Sequence, residues 1–237
     1  MASRPEYPTG VPDKFSADGE LQRFPGTTTL CHLPTDSPLL PGLRAIYAAL
    51  EKHPVLSKRI HLLPPASWHM TVFTCIREWE CKAGIWPPGN RPKQTLEQCT
   101  VELIPKIKAV GLALEKKGLA PPYRVRVRNF DPATAGIGLE VEGATPSEDA
   151  RLRRVRDLLS ESLGIRAADH ETYGLHISIA YLLRYIEGDE RRQLNELFND
   201  HLKSVKLEFE LGAIEFCTFE DMYSYPRLFY LGQDEAA

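Results

Sequence analysis

Two short apolar segments, Trp68-His69-Met70-Thr71-Val72-Phe73 and Leu175-His176-Ile177-Ser178-Ile179-Ala180, each carry a histidine two residues before a hydroxyl side chain. Successive side chains of a β-strand point to opposite faces. Trp68, Met70 and Val72 therefore oppose His69 and Thr71, while Leu175, Ile177 and Ile179 oppose His176 and Ser178. Each segment is a strand with one apolar face and one face of chemistry. Two such strands meeting at a cleft offer two imidazoles able to move protons at neutral pH and two hydroxyls able to donate to phosphoryl oxygens. A third match in spacing, His170-Glu171-Thr172, lies in a polar stretch ending at Gly174 and reads as a loop.

Composition narrows the classes of partner. A chain of 237 residues with 43% hydrophobic content can bury a large core. Its formal net charge of −3 exerts no global pull on nucleic acid, so a small nucleotide or a short RNA end suits it better than a DNA duplex. Cys31, Cys75, Cys81, Cys99 and Cys217 are scattered without a Cys-x-x-Cys pair and read as reduced, buried thiols. No stretch has the length of a membrane span, and Met1 to Gly10 has no apolar core of signal-peptide length. The expectation is a cytoplasmic protein with no membrane partner.

Along the chain, residues 1–25 are rich in proline and glycine and read as an N-terminal surface arm. Strands are expected over Thr27–Leu33, Arg59–Leu62, Tyr123–Phe130, Ile137–Glu142, Val205–Phe216 and Leu228–Leu231, besides the two histidine strands. Helices are expected from Pro41 to His53, from Leu96 through Val110 with Pro105 kinking or dividing it, over Ser147–Leu163 and over Glu190–Leu202. Residues 75–93 read as one long loop. Arg124, Arg126 and Arg128 share a strand face, and Glu140 and Glu142 on the next strand can pair with them, so that stripe needs no ligand. Simple alternation puts Tyr181 and Trp68 on the core side. His32, His53, His61 and His201 show no pattern and read as structural.

The two histidine motifs, the opening Lys14-Phe15-Ser16-Ala17-Asp18-Gly19, Phe24-Pro25-Gly26-Thr27-Thr28 and the Tyr181-Leu182-Leu183 after the second motif resemble the 2H phosphoesterase superfamily. They resemble in particular its bacterial and fungal DUF1868-type branch, over about Lys14 to Leu231. The motifs stand 107 residues apart, wider than in small members, which implies an insertion after the first. Helix and strand order alone indicates an α+β protein with antiparallel sheet inside and helices outside. The resemblance adds two pseudo-symmetric lobes around a central cleft, forming a single bilobal domain over 26–237.

The activity that the resemblance implies is metal-independent hydrolysis of a 2′,3′-cyclic phosphate on a nucleotide or RNA end. His69 and His176 would act as acid and base in either order, with Thr71 and Ser178 holding the phosphate. Tyr173, at a glycine turn, and Thr28, on the first strand, are weaker candidates for substrate contacts. No cofactor and no metal ligand set is expected, and the chain is expected to be a monomer. The competing readings are a 2′-5′ RNA ligase or 2′-5′ phosphodiesterase, a non-catalytic nucleotide- or RNA-binding module on the same scaffold, and a metalloprotein using several histidines.

Overall fold

Both histidine segments fold as strands of one antiparallel sheet. The computed structural model describes residues 4–86, 92–131, 133–203, 205 and 207–233. The order is β1 (Gly26–His32), α1 (Leu40–Lys52), β2 (Ile60–Leu62), β3 (His69–Arg77), α2 (Glu78–Ala83), α3 (Leu96–Lys116), β4 (Tyr123–Phe130), β5 (Gly136–Gly143), α4 (Pro146–Leu163), β6 (Leu175–Leu182), α5 (Gly188–Leu202), β7 (Glu208–Leu211), β8 (Glu215–Phe219) and β9 (Arg227–Tyr230).

The strands run β7-β4-β5-β6-β3-β1-β8-β9, with β2 added on β6. The order is symmetric about its centre. Four strands outward from β3 form one lobe and four outward from β6 form the other, and the lobes join edge to edge through β3 and β6. β7 and β8 are six places apart in this order, about 29 Å in a flat sheet at ~4.8 Å per strand. Only residues 212–214 link them, a reach of at most ~14 Å. The sheet must therefore curl strongly until those strands approach each other.

Helices cover the apolar side. α4 packs on β3, β4 and β5 and against α3, while α1 packs against α5. Met70 and Val72 of β3, Ile177 and Ile179 of β6, Leu103 and Ile107 of α3, and Val155 and Leu159 of α4 are all buried in this core. The expected arginine stripe is a paired sheet face: Arg126 bonds Glu142 at 2.6 Å, Arg128 bonds Glu140 at 2.8 Å, and Arg124 lies 4.0 Å from Glu208. All five cysteines are unpaired and buried. No helix among the described residues is long and apolar enough to cross a membrane.

Three expectations are corrected. The strand expected over Val205–Phe216 is two strands, because the buried phase slips from Phe209 and Leu211 to Ile214 and Phe216 across Gly212 and Ala213. The loop expected over 75–93 begins as strand to Arg77 and continues as α2, where Glu80 accepts from the Arg77 backbone N–H at 2.7 Å and Gly84 ends the helix with φ +67°. Glutamates in the first turn and glycine just past the last are ordinary helix signals. Residues 87–91 of that stretch lie outside the described residues. Finally, Pro105 does not divide the helix: α3 is one element across it, opened by a reciprocal Thr95–Gln98 cap.

The chain before β1 lies against β2 and β6. Phe15 is fully buried, stacked on the His61 ring at 4.4 Å, and Phe24 N–H donates to the Glu220 carbonyl at 2.8 Å.

Candidate active site

β3 and β6 touch through the single pair Met70–Ile177, the middle residues of the two motifs. In that antiparallel register His69 lies beside Ser178 and Thr71 beside His176, so a local two-fold relates the motifs. Met70 and Ile177 are fully buried, which leaves the four polar residues on the other face. His69, Thr71, His176 and Ser178 all line one cavity of about 760 Å³, within the usual ~300–1,000 Å³ range of small-molecule sites. Its walls come from β1, β3, β6, β8, α2, the chain before β1 and the loops after β2, before β6 and after β8, with nothing from α1, α3, α4 or α5.

The same irregularity occurs after each motif. The β1–β3 register skips Val72, directly after Thr71, and the β5–β6 register skips Ile179, directly after Ser178. A bulge residue leaves the ladder and re-aims the side chains beyond it. The freed carbonyls are capped: Val72 by the buried Arg156 guanidinium, and Ile179 by the Leu63 N–H at 2.9 Å. Beyond each bulge the cavity face resumes three residues after the hydroxyl, at Thr74 and at Tyr181. Tyr181 is thus corrected from core to cavity wall, because strict alternation ignores the extra residue. Trp68 is buried, as expected, with its indole N–H donating to the Leu63 carbonyl at 3.3 Å.

Both imidazoles are held alike. His69 Nδ1 lies 2.7 Å from the Ser67 carbonyl and His176 Nδ1 lies 2.9 Å from the Gly174 carbonyl, each two residues upstream. A carbonyl only accepts, so Nδ1 carries the proton in both rings and Nε2 is the nitrogen left for chemistry. His69 Nε2 is 3.2 Å from Thr71 Oγ1. Burial, reinforced by the neighbouring His32 and His176, lowers the His69 pKa from 6.5 to about 4. In an NMR titration the His69 ring protons are therefore expected to keep their neutral shifts from about pH 8 to about pH 5. The unfolded chain takes up this proton near 6.5 and the folded protein only near 4, so the unfolded state binds more protons in that window. Acidification through it therefore costs stability.

The weaker candidates also line the cavity. Tyr173 packs 4.1 Å beneath the Arg156 guanidinium and 5.9 Å from the His176 ring, and burial pushes its hydroxyl up to about 12. Thr28 is only 4% exposed and donates to the Phe73 carbonyl at 3.2 Å, so its hydroxyl is spent on the backbone. Lys14, Phe24 and Tyr225 were not foreseen as cavity residues; the Tyr225 ring meets His69 at 4.2 Å.

Of the histidines read as structural, His53 accepts from the Leu56 N–H at 3.1 Å and His61 bonds the Tyr223 hydroxyl at 2.5 Å. His32 stands nearer His69. Its ring is 6.1 Å from that of His69, and with Glu215 and Cys217 it brings ligand-type atoms within 4.8 Å of one another. Those donors are already committed: Glu215 accepts from His32 Nδ1 at 3.0 Å and from Arg227 at 3.1 Å, and burial pushes the Cys217 thiol up to about 12. A protonated thiol beside an arginine suits a charged support behind His69 better than a metal site.

One solved structure shares this architecture. A conserved protein of unknown function from Agrobacterium tumefaciens, ATU0111, superposes with a TM-score of 0.77 at 23% identity, over 96% of this chain and 94% of that one. TT0787 of Thermus thermophilus matches with a TM-score of 0.49 and 15% identity, over 88% of this chain and 99% of that one. No curated protein matches the chain. The 2H-phosphodiest family, described as a domain of unknown function (DUF1868), matches residues 14–136, a span that holds Lys14, His69 and Thr71. The chain therefore belongs to the 2H-phosphodiest (DUF1868) family, whose name is that of a phosphoesterase-type enzyme.

Proposed function

We propose that the protein hydrolyses a cyclic phosphodiester, the 2′,3′-cyclic phosphate of a nucleotide or RNA end, without a metal. The observation that carries this reading is the local two-fold, which sets two Nδ1-anchored imidazoles and two hydroxyls around one cavity. His69, neutral at physiological pH, is the base: as a water oxygen bonds to phosphorus, Nε2 takes the water proton. His176, the more open ring, carries the proton that the departing ribose oxygen receives as its bond to phosphorus breaks. Thr71 and Ser178 donate to the non-bridging oxygens as negative charge builds there. One proton enters and one leaves, so a second turnover needs only proton exchange between the rings and solvent.

Turnover of nucleoside 2′,3′-cyclic phosphates and of short RNAs with cyclic or 2′-5′-linked ends, measured in EDTA with products identified by mass, tests the reading. Hydrolysis of a cyclic phosphate that resists EDTA is expected. Thr71→Val and Ser178→Ala are each expected to lower kcat about 10²-fold, the scale for losing one donor to a developing oxyanion. Activity that disappears in EDTA, or turnover confined to 2′-5′ linkages, would overturn the proposal.

A further inference from the structure

We propose that Lys14 forms a second anion subsite in the cleft, for a phosphate on the 5′ oxygen of the nucleotide whose cyclic phosphate is opened. The inference rests on the phosphoesterase reading above and names its substrate class more closely.

Besides the histidines, Lys14, Arg23 and Arg77 are the cations lining the cavity. Two are spent. Arg23 bonds Glu78 at 2.7 and 2.9 Å and lies 3.1 Å from Glu220, while Arg77 bonds Glu80 at 2.9 and 3.1 Å. Among the described residues Lys14 makes no ion pair, even with Asp13, which lines the same cavity. Its ammonium donates to the Tyr181 hydroxyl at 3.0 Å and sits 4.6 Å from the Tyr181 ring centroid and 5.4 Å from that of Phe24. An ammonium has three donors, so this aromatic slot orients the cation without neutralising it.

Position separates it from the reacting phosphate. Tyr181 stands three ladder steps from Ile177 on the local two-fold, the bulge at Ile179 adding a residue but no step, about 10 Å of strand, and strand side chains stand roughly perpendicular to the sheet. One phosphate held between Thr71 and Ser178 does not span that distance. Base and ribose are uncharged, so the other anion a nucleotide offers is a phosphate on its 5′ oxygen, either terminal on a free nucleotide or the diester of an RNA chain.

Calorimetric binding of unreactive product-type ligands tests this in wild type, Lys14→Met and Lys14→Arg, each checked for folding by near-UV circular dichroism. The ligands are adenosine 2′- and 3′-monophosphate, the corresponding 2′,5′- and 3′,5′-bisphosphates, and a dinucleotide with an internal diester and a 3′-phosphate. In wild type the 5′-phosphate is expected to tighten Kd about tenfold, the scale of one charge-assisted contact. That ratio should fall to about one in Lys14→Met and stay largely intact in Lys14→Arg. A larger Lys14-dependent gain for the bisphosphates points to a free nucleotide, and for the dinucleotide to an RNA end. If the monophosphates bind but the 5′-phosphate adds nothing, or its gain survives in Lys14→Met, the subsite is overturned while the phosphoesterase reading stands. If none of the ligands binds, both fall together.

Discussion

His69→Ala and His176→Ala are each expected to lower kcat/KM for a 2′,3′-cyclic phosphate about 10³-fold or more, at the upper end of what a positioned proton donor or acceptor contributes. Each loses the only nitrogen that its anchored ring presents to the cavity, since Nδ1 is tied to a carbonyl in both. The two variants should part company on a second substrate. A phosphodiester with a p-nitrophenolate leaving group needs no proton on departure, so His176→Ala should recover most of its loss while His69→Ala stays impaired. The reverse pattern would exchange the roles of base and acid. Equal impairment on both substrates would mean that the rings bind phosphate rather than move protons. Both variants should retain native near-UV circular dichroism, because the apolar faces of β3 and β6 are untouched.

Gly138→Ala is expected to cost about 3 kcal/mol, the upper range for forced overpacking, and to damage activity as well. A Cβ at this position would lie 2.2 Å from the Ile177 carbonyl oxygen and 3.0 Å from Ser178 Cα. No side-chain rotation relieves a clash with backbone, so β5 must move from β6 or β6 must move and carry Ser178 with it. The register break between Ile137 and Gly138, opposite Ile179, is the reason the strands come so close. Gly212→Ala is the control, since a Cβ there meets nothing within 4 Å. Its urea midpoint should stay near wild type while that of Gly138→Ala falls. Equal midpoints would show that the β5–β6 contact relaxes freely and does not hold the second motif in place.

Features with a period were legible in the chain. The motif strands could be read because Met70, Val72, Ile177 and Ile179 alternate against the polar positions, and burial obeys that alternation up to the hydroxyl in both lobes. The Arg126–Glu142 pairing was legible for the same reason. A bulge has no period. The skipped Val72 and Ile179 shift the cavity face to Thr74 and Tyr181, so two-residue counting sent Tyr181 to the core. A weak signal was present, since a polar or amphipathic side chain stands three positions after the hydroxyl in both motifs. The break between β7 and β8 escaped because two apolar runs of opposite phase abut across Gly212. Lys14, Phe24 and Tyr225 reach the cavity through tertiary packing of segments far from either motif in the chain, and no local pattern encodes that.

The most direct test of paired-imidazole hydrolysis is a single turnover of a nucleoside 2′,3′-cyclic phosphate by wild-type protein in ¹⁸O-labelled water containing EDTA, with the product weighed by mass spectrometry. Paired-imidazole attack by water yields a single nucleoside monophosphate, 2′ or 3′, bearing one ¹⁸O on phosphorus. A product without label, a mixture of 2′ and 3′ monophosphates matching spontaneous hydrolysis, or no product until metal is restored would contradict it.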